Sequence, residues 1–141
     1  SPIVREVASK VLTCVHPEDP TVNGVSHVLW TGKTQTNGSD AANAVFYGDK
    51  AIDRSPCGTG TSARMAQLYA KGKLSKGDKF VHESYIGSQF IGRIEDVVTI
   101  ESPAGKIEAI KPSIQGWAKV FGKNCIEIDD DDPYALGFVV T

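Results

Sequence analysis

DRSPCGTGTSARMAQLYAKGKL, residues 53–74, decides the fold. In its first part Gly58 and Gly60 let the backbone approach a ligand closely. Its second part changes period. Ala63, Ala66, Tyr69 and Ala70 fall on one side, with good helix formers between them. The spacing predicts a helix that begins near Gly60, with Thr59, Thr61 or Ser62 as its N-cap. Gly72 suits the position just beyond its end. Cys57 then stands at the mouth of a helix, between an aspartate four residues before it and a glycine-threonine ladder after it.

Outward from this stretch the chain changes character. On the N-terminal side, residues 3–15 carry Ile3, Val4, Val7, Ala8, Val11, Leu12 and Val15 at helical spacing, which predicts a helix with one buried stripe. Pro2 fits its first position, and the two prolines of HPEDP (16–20) end it. Residues 25–30 read as a strand, 31–43 as a polar loop or hairpin, and 44–47 as a short buried strand. GDKAID then turns the chain. On the C-terminal side, KFVHES, QFIGRIE, DVVTIE, KIEAIKPSI, GWAKVFG, KNCIEI and LGFVVT all read as strands. The layout predicts one α/β (α+β) domain: a first helix, two strands, a central helix, and an antiparallel meander.

Composition limits the function classes. The chain has 141 residues, of which 40% are hydrophobic and 23% charged. That suits one domain of usual size and argues against disorder. Fifteen basic and 17 acidic residues give a formal net charge of -2, with no basic block, so no nucleic acid partner is expected. No apolar run approaches the roughly 18–20 residues that span a bilayer, so no membrane association is expected. Ser1-Pro2 leads directly into the amphipathic segment, which reads as a chain without a secretory leader and as a processed, tagged or truncated product. Cys14, Cys57 and Cys125 are odd in number and widely spaced, without a CxxC pair. Neither a cysteine zinc site nor a disulfide framework is expected, and a reducing, cytoplasmic location fits.

The chemistry concentrates at Cys57. A free thiol titrates near about 8.5, and a helix N-terminus favours its thiolate through free N–H groups and the helix dipole. The N–H groups of Gly58, Thr59 and Gly60 would face whatever lies above the helix and bind an anion. Asp53 adds a negative charge nearby. An amino acid, with a carboxylate, an ammonium group and an α-proton between them, matches that set. Two other readings stand beside it. Cys57 can be a small buried residue, and the ladder can hold a phosphate, although GTGTS lacks the lysine of a Walker A loop.

The residues of 53–74 resemble the second active-site motif of the proline racemase family, which includes 4-hydroxyproline 2-epimerases. HESYIGSQFIGRIE (82–95), GWAKVFG (116–122) and IDDDDPYALGF (128–138) resemble its later blocks. The resemblance implies one half of a diaminopimelate epimerase-like fold: a central helix wrapped by mostly antiparallel sheet. It also implies racemisation or epimerisation at the α-carbon of proline or 4-hydroxyproline by two cysteines, with no cofactor and no metal. On the matching positions, Cys57 is one of the two bases and Gly58 and Thr59 donate N–H groups to the substrate carboxylate. Asp53 partners the substrate nitrogen. Phe46 or Tyr47 lines the ring pocket, with Tyr47 the better aligned. Family enzymes form homodimers and are about twice this length. Their first half carries the other cysteine in a Cys-Gly-His-type stretch that is missing here. Residues 1–141 therefore read as the C-terminal portion of a two-half enzyme, whose other half is a missing segment or partner chain. The final strand, about 136–141, is expected to pack with that half.

Other residues are read as structural. Cys14 falls near the apolar stripe of the first helix and reads as core. Cys125 alternates with Ile126 and Ile128 and reads as a structural strand residue. Trp30 and Trp117 read as core. His16, His27 and His82 are scattered, which argues against a metal triad; His82 suits a strand surface or a supporting place under the pocket. Asp129–Asp132 lack the glycine and distal glutamate of an EF-hand and read as a solvated turn. Two other functions compete with epimerisation. One is a trans-3-hydroxyproline dehydratase of the same family, whose members usually have threonine where Cys57 stands. The other is a non-catalytic amino-acid- or anion-binding domain.

Overall fold

The computed structural model describes residues 2–48, 50–102 and 105–139. The first helix is α1 (Pro2–Val11), followed by β1 (Val28–Gly32), β2 (Ala41–Tyr47) and β3 (Ala51–Ile52). The central helix α2 (Gly58–Ala70) comes next, then β4 (Lys79–Glu83), β5 (Gln89–Ser102) and β6 (Gly105–Gln115). The strands form one sheet in the order β1-β2-β4-β5-β6, with β3 paired to β2. All neighbours are antiparallel except β2 and β4, which run parallel with Ala41 opposite His82. A parallel pair needs a crossover, and α2 supplies it.

The core lies between α2 and the sheet. Met65, Phe80 and Ile94 are buried, with Leu68, Tyr69, Val97 and Ile110 packed around them. Gly92 on β5 makes this contact possible, because a Cβ there would run into Met65 Sδ. The expected break between QFIGRIE and DVVTIE is a bulge within one strand, at the register shift between Ile94 and Asp96. Gly72 takes φ 65° after the last helical turn, as its expected place beyond the helix end requires.

Several expectations fail outside this unit. The first helix stops at Val11, and its stripe is not buried: Ile3, Val7 and Val11 are all exposed. Cys14 lies beyond that helix and is exposed, so it is not core. The strands expected in GWAKVFG, KNCIEI and 136–139 are not formed; residues 140 and 141 lie outside the described residues. Cys125 is accordingly an exposed residue with no strand around it. Alternating apolar residues need a neighbouring strand and a covering layer, and this segment has neither among the described residues. Phe121 and Leu136 remain fully exposed. Trp30 and Trp117 are 50% and 67% exposed rather than core. The strand expected at 25–30 begins only at Val28, and β2 begins three residues earlier than the pattern at 44–47 suggests. Asp129–Asp132 form an exposed turn closed by the Asp132 N–H donating to Asp129 O at 3.2 Å.

Candidate active site

The turn before α2 is a chain of side-chain hydrogen bonds. Asp53 Oδ1 accepts from the Ser55 N–H at 2.8 Å and from Ser55 Oγ at 2.9 Å. Ser55 Oγ in turn accepts from the Cys57 N–H at 3.1 Å. Asp53 itself is anchored to β2 by its N–H, which donates to Val45 O at 2.8 Å. The carboxylate thus fixes the turn through one oxygen.

Cys57 is the N-cap of α2, two residues before Thr59, the first of the caps that the spacing suggested. Its Sγ accepts from the Gly60 N–H at 3.3 Å and lies 3.4 Å from Thr59 Oγ1. Its carbonyl accepts from the Thr61 N–H at 2.8 Å, the first bond of the helix. Cys57 has φ 65°, and no other non-glycine among the described residues has a positive φ. Such a backbone costs about 1–3 kcal/mol and persists only where its surroundings impose it. Gly60 permits the close approach, since a Cβ there would stand 3.3 Å from Cys57 Sγ and 3.0 Å from Leu29 Cδ1. The N–H groups of Gly58 and Thr59 sit in the first turn, where no intrahelical acceptor exists.

The thiol opens on a cleft of about 680 Å³ between α2 and the β1–β2 hairpin. Cys57, Thr59, Gly60 and Arg64 line one side, and His27 and Leu29 the other. Tyr47 is half-exposed and stacks on His27, with ring centroids 6.0 Å apart. Of the sequence-predicted residues, Cys57 and Thr59 line the cleft. Tyr47 adjoins it through His27, Asp53 is tied in through Ser55, and Gly58 lies in the helix turn between Cys57 and Thr59. Cys14 and Cys125 do not line it. Sequence reasoning missed His27, which looked like one of three scattered histidines. Its pairing with an aromatic across β1 and β2 needs the register Val28–Phe46, which no local pattern gives.

Beneath the turn lies a second polar cluster. His82 is fully buried on β4, so it supports the site from below and is not a strand-surface residue. Its Nδ1 is 3.0 Å from Thr61 Oγ1, and both ring nitrogens are 3.0 Å from Asn43 Nδ2. Burial, with the Arg64 guanidinium adding to it, lowers the His82 pKa to about 4. The neighbouring Glu83 is also buried and faces the other way. Burial pushes its carboxyl up, but N–H donors from Thr36 and Gln35 outweigh that and leave it low.

The depressed histidine has a consequence for stability. Between the unfolded value near 6.5 and about 4 the unfolded chain binds the extra proton, so stability falls as the pH falls through that window. The expected slope from this group is at most about 1.4 kcal/mol per pH unit. Urea unfolding at pH 7.5, 6.5, 5.5 and 4.5 measures it. His82→Gln should flatten the profile above pH 5, whereas a Glu83 contribution is lost only at lower pH.

No helix among the described residues is long and apolar enough to cross a membrane. Among the same residues, no group of three or more His, Cys, Asp or Glu side chains could hold a metal ion.

Comparison with known proteins gives this geometry relatives. The family model for proline racemase matches residues 1–139. The chain is 67% identical over 140 residues to a 4-hydroxyproline 2-epimerase of Shewanella loihica, covering 99% of this chain and 41% of that protein. It is 59% identical over 138 residues to a 4-hydroxyproline 2-epimerase of Spirosoma linguale, covering 98% and 40%. The chain thus spans about two fifths of the length of these relatives. Among solved structures, a hydroxyproline epimerase from Agrobacterium vitis with bound trans-4-hydroxy-L-proline superposes with a TM-score of 0.76 at 31% identity, covering 99% of this chain and 38% of that one. A probable proline racemase from Agrobacterium radiobacter with bound carbonate gives 0.73 at 34% identity, covering 98% and 39%. The sheet wrapped on α2 is therefore part of a diaminopimelate epimerase-like fold. By family model, sequence identity and fold, the chain belongs to the proline racemase family.

Proposed function

We propose that this chain supplies one half-site of an isomerase that inverts the α-carbon of 4-hydroxyproline or proline. The observation that carries the reading is the Cys57 thiol, held at the N-terminus of α2 and open to the cleft. Cys57 exchanges the α-proton on one face of the substrate. The N–H groups of Gly58 and Thr59 hold the carboxylate, and the positive end of the helix stabilises the negative charge that develops beside it. The Gly60 N–H, already donating to Sγ, steadies charge on sulfur. Tyr47 and His27 flank the ring. Cys57 keeps the proton it removes, and the electron pair left at the α-carbon takes a proton on the opposite face from the protonated form of a second group, which lies outside this chain in an N-terminal half or a partner chain. Residues 1–141 are then the C-terminal portion of the enzyme. The reaction moves only protons, so it calls for no cofactor. The full enzyme is a cytoplasmic homodimer in this reading.

Deuterium wash-in tests the reaction class. The full-length protein, incubated with 4-hydroxy-L-proline or L-proline in D₂O, should place one deuterium at the α-carbon as the epimer accumulates. Neither substrate carries a leaving group on C3, so trans-3-hydroxy-L-proline is run beside them: loss of water from it alone would indicate a dehydratase, and no reaction with any of the three would indicate a binding domain.

Asp53 has a divided role. Oδ1 is committed to the turn, while Oδ2 has no hydrogen-bond partner among the described residues. We assign the remaining charge to the substrate ammonium. Asp53→Asn keeps an oxygen for Ser55 and removes the charge. It is expected to weaken binding of 4-hydroxyproline by about 10- to 150-fold, which corresponds to about 1.5–3 kcal/mol for a charged hydrogen bond. Pyrrole-2-carboxylate, which has no ammonium group, should bind within twofold of wild type by titration calorimetry. Equal losses for both ligands would leave Asp53 a turn residue only.

A further inference from the structure

We propose that Asn43, Thr61 and His82 form a buried positioning unit that holds the Pro56 carbonyl and thereby fixes the backbone that presents the Cys57 thiol. The inference rests on the reading of Cys57 as the reacting group.

Three polar groups flank the strained torsion at Cys57, and each is tied. The Cys57 N–H is held by Ser55 and its carbonyl by Thr61. The remaining group, the Pro56 carbonyl, accepts from Asn43 Nδ2 at 2.8 Å and from Thr61 Oγ1 at 3.4 Å. Pro56 is itself fully buried. Rotating φ of Cys57 out of the left-handed region would swing the Pro56–Cys57 peptide away from these donors or break the Ser55 bond. Either change moves Sγ off the Gly60 N–H.

His82 orients the two donors. Thr61 and Asn43 both point at Pro56 O, and both also touch the imidazole at 3.0 Å. A neutral ring offers one acceptor nitrogen and one N–H. Nε2 therefore accepts from Asn43 Nδ2, while the Nδ1–H donates to Thr61 Oγ1, whose own proton goes to the Pro56 carbonyl. All three side chains are buried: Asn43 is 3% exposed, Thr61 and His82 not at all. They come from β2, α2 and β4, the three elements of the parallel crossover. The turn is thus referenced to the body of the fold and not only to its own residues.

The test compares isosteric and conservative variants in the full-length protein. Iodoacetamide labelling, read residue by residue by mass mapping, gives the rate at Cys57 relative to Cys14 and Cys125, which lie outside the cleft. Thr61→Val and Asn43→Leu should lower the relative rate at Cys57 at least fivefold. They should lower kcat at least tenfold and leave KM within threefold. Thr61→Ser, which restores the hydroxyl, should recover most of both losses. A merely structural role would lower the melting temperature in Val and Ser variants without separating them by labelling or by kcat. Unchanged Cys57 labelling in a folded Thr61→Val protein overturns the proposal, as does an equal loss in Thr61→Ser. If Asn43→Leu does not fold, the Thr61 pair decides. The labelling arm needs no turnover, so a wild-type protein inactive on prolines would sink the isomerase reading and leave the positioning claim still decided by labelling.

Discussion

Cys57→Ser is expected to remove epimerisation from the full-length protein while leaving its fold in place. Serine is a good N-cap and can accept the Gly60 N–H as sulfur does. The turn held by Asp53, Ser55 and Asn43 does not depend on the thiol. Unfolding should therefore shift by less than about 1 kcal/mol, the ordinary spread for a well-accommodated change. Activity should not survive. A hydroxyl is a far poorer proton acceptor than a thiol at neutral pH, and a positioned general acid or base contributes about 10²–10⁴-fold. The same loss should appear in α-proton exchange of the epimer whose α-proton faces Cys57, because the missing step is that proton transfer. Chiral chromatography of the product, beside a thermal melt of the same sample, checks both halves. A serine variant within tenfold of wild-type turnover would remove Cys57 from the chemistry.

The central helix and the strands of 79–115 were legible because their signals are local. Helical spacing from Ala63 to Ala70, a glycine at 72 and alternation in β4 to β6 each follow from residues near one another in sequence. The position of Cys57 was legible; its conformation was not. A positive φ at a non-glycine residue is imposed from outside, here by Ser55, Asn43 and Thr61, and two of those three arrive from other elements or another turn of the helix. The same holds for His82. Beside Glu83 in sequence it reads as one of two polar strand residues. Only the parallel pairing of β4 with β2 puts it under the active turn, where burial keeps it neutral. The errors in 116–139 and in α1 share one cause. Apolar periodicity reports that a face can be buried, not what buries it. On α1 and the tail, no layer among the described residues does.

That uncovered surface bears on the last prediction: residues 1–141 alone should not invert proline or 4-hydroxyproline. Inversion requires a base on each face of the α-carbon, and only one cysteine lines the cleft. Cys14 and Cys125 are exposed elsewhere, outside any helix N-terminus. In the two-half reading the second half closes the cleft over the substrate, so without it water reaches a bound substrate. In water the N–H groups of α2 stabilise developing charge weakly, since the Coulomb term falls with the dielectric. The isolated chain should also self-associate, because Ile3, Val7, Val11, Phe121 and Leu136 expose apolar surface that a monomer rarely leaves bare. Polarimetry of the purified chain, at concentrations high enough to reveal a trace of activity, is expected to show none with either substrate. Adding a separately produced N-terminal portion with its own helix-capping cysteine should restore turnover, and Cys57→Ser in this chain should abolish it again. Steady inversion by the chain alone, lost on Cys57→Ser, would place the opposing base inside residues 1–141 or in a second copy of them. The two-half reading would then fail even though the role of Cys57 survived.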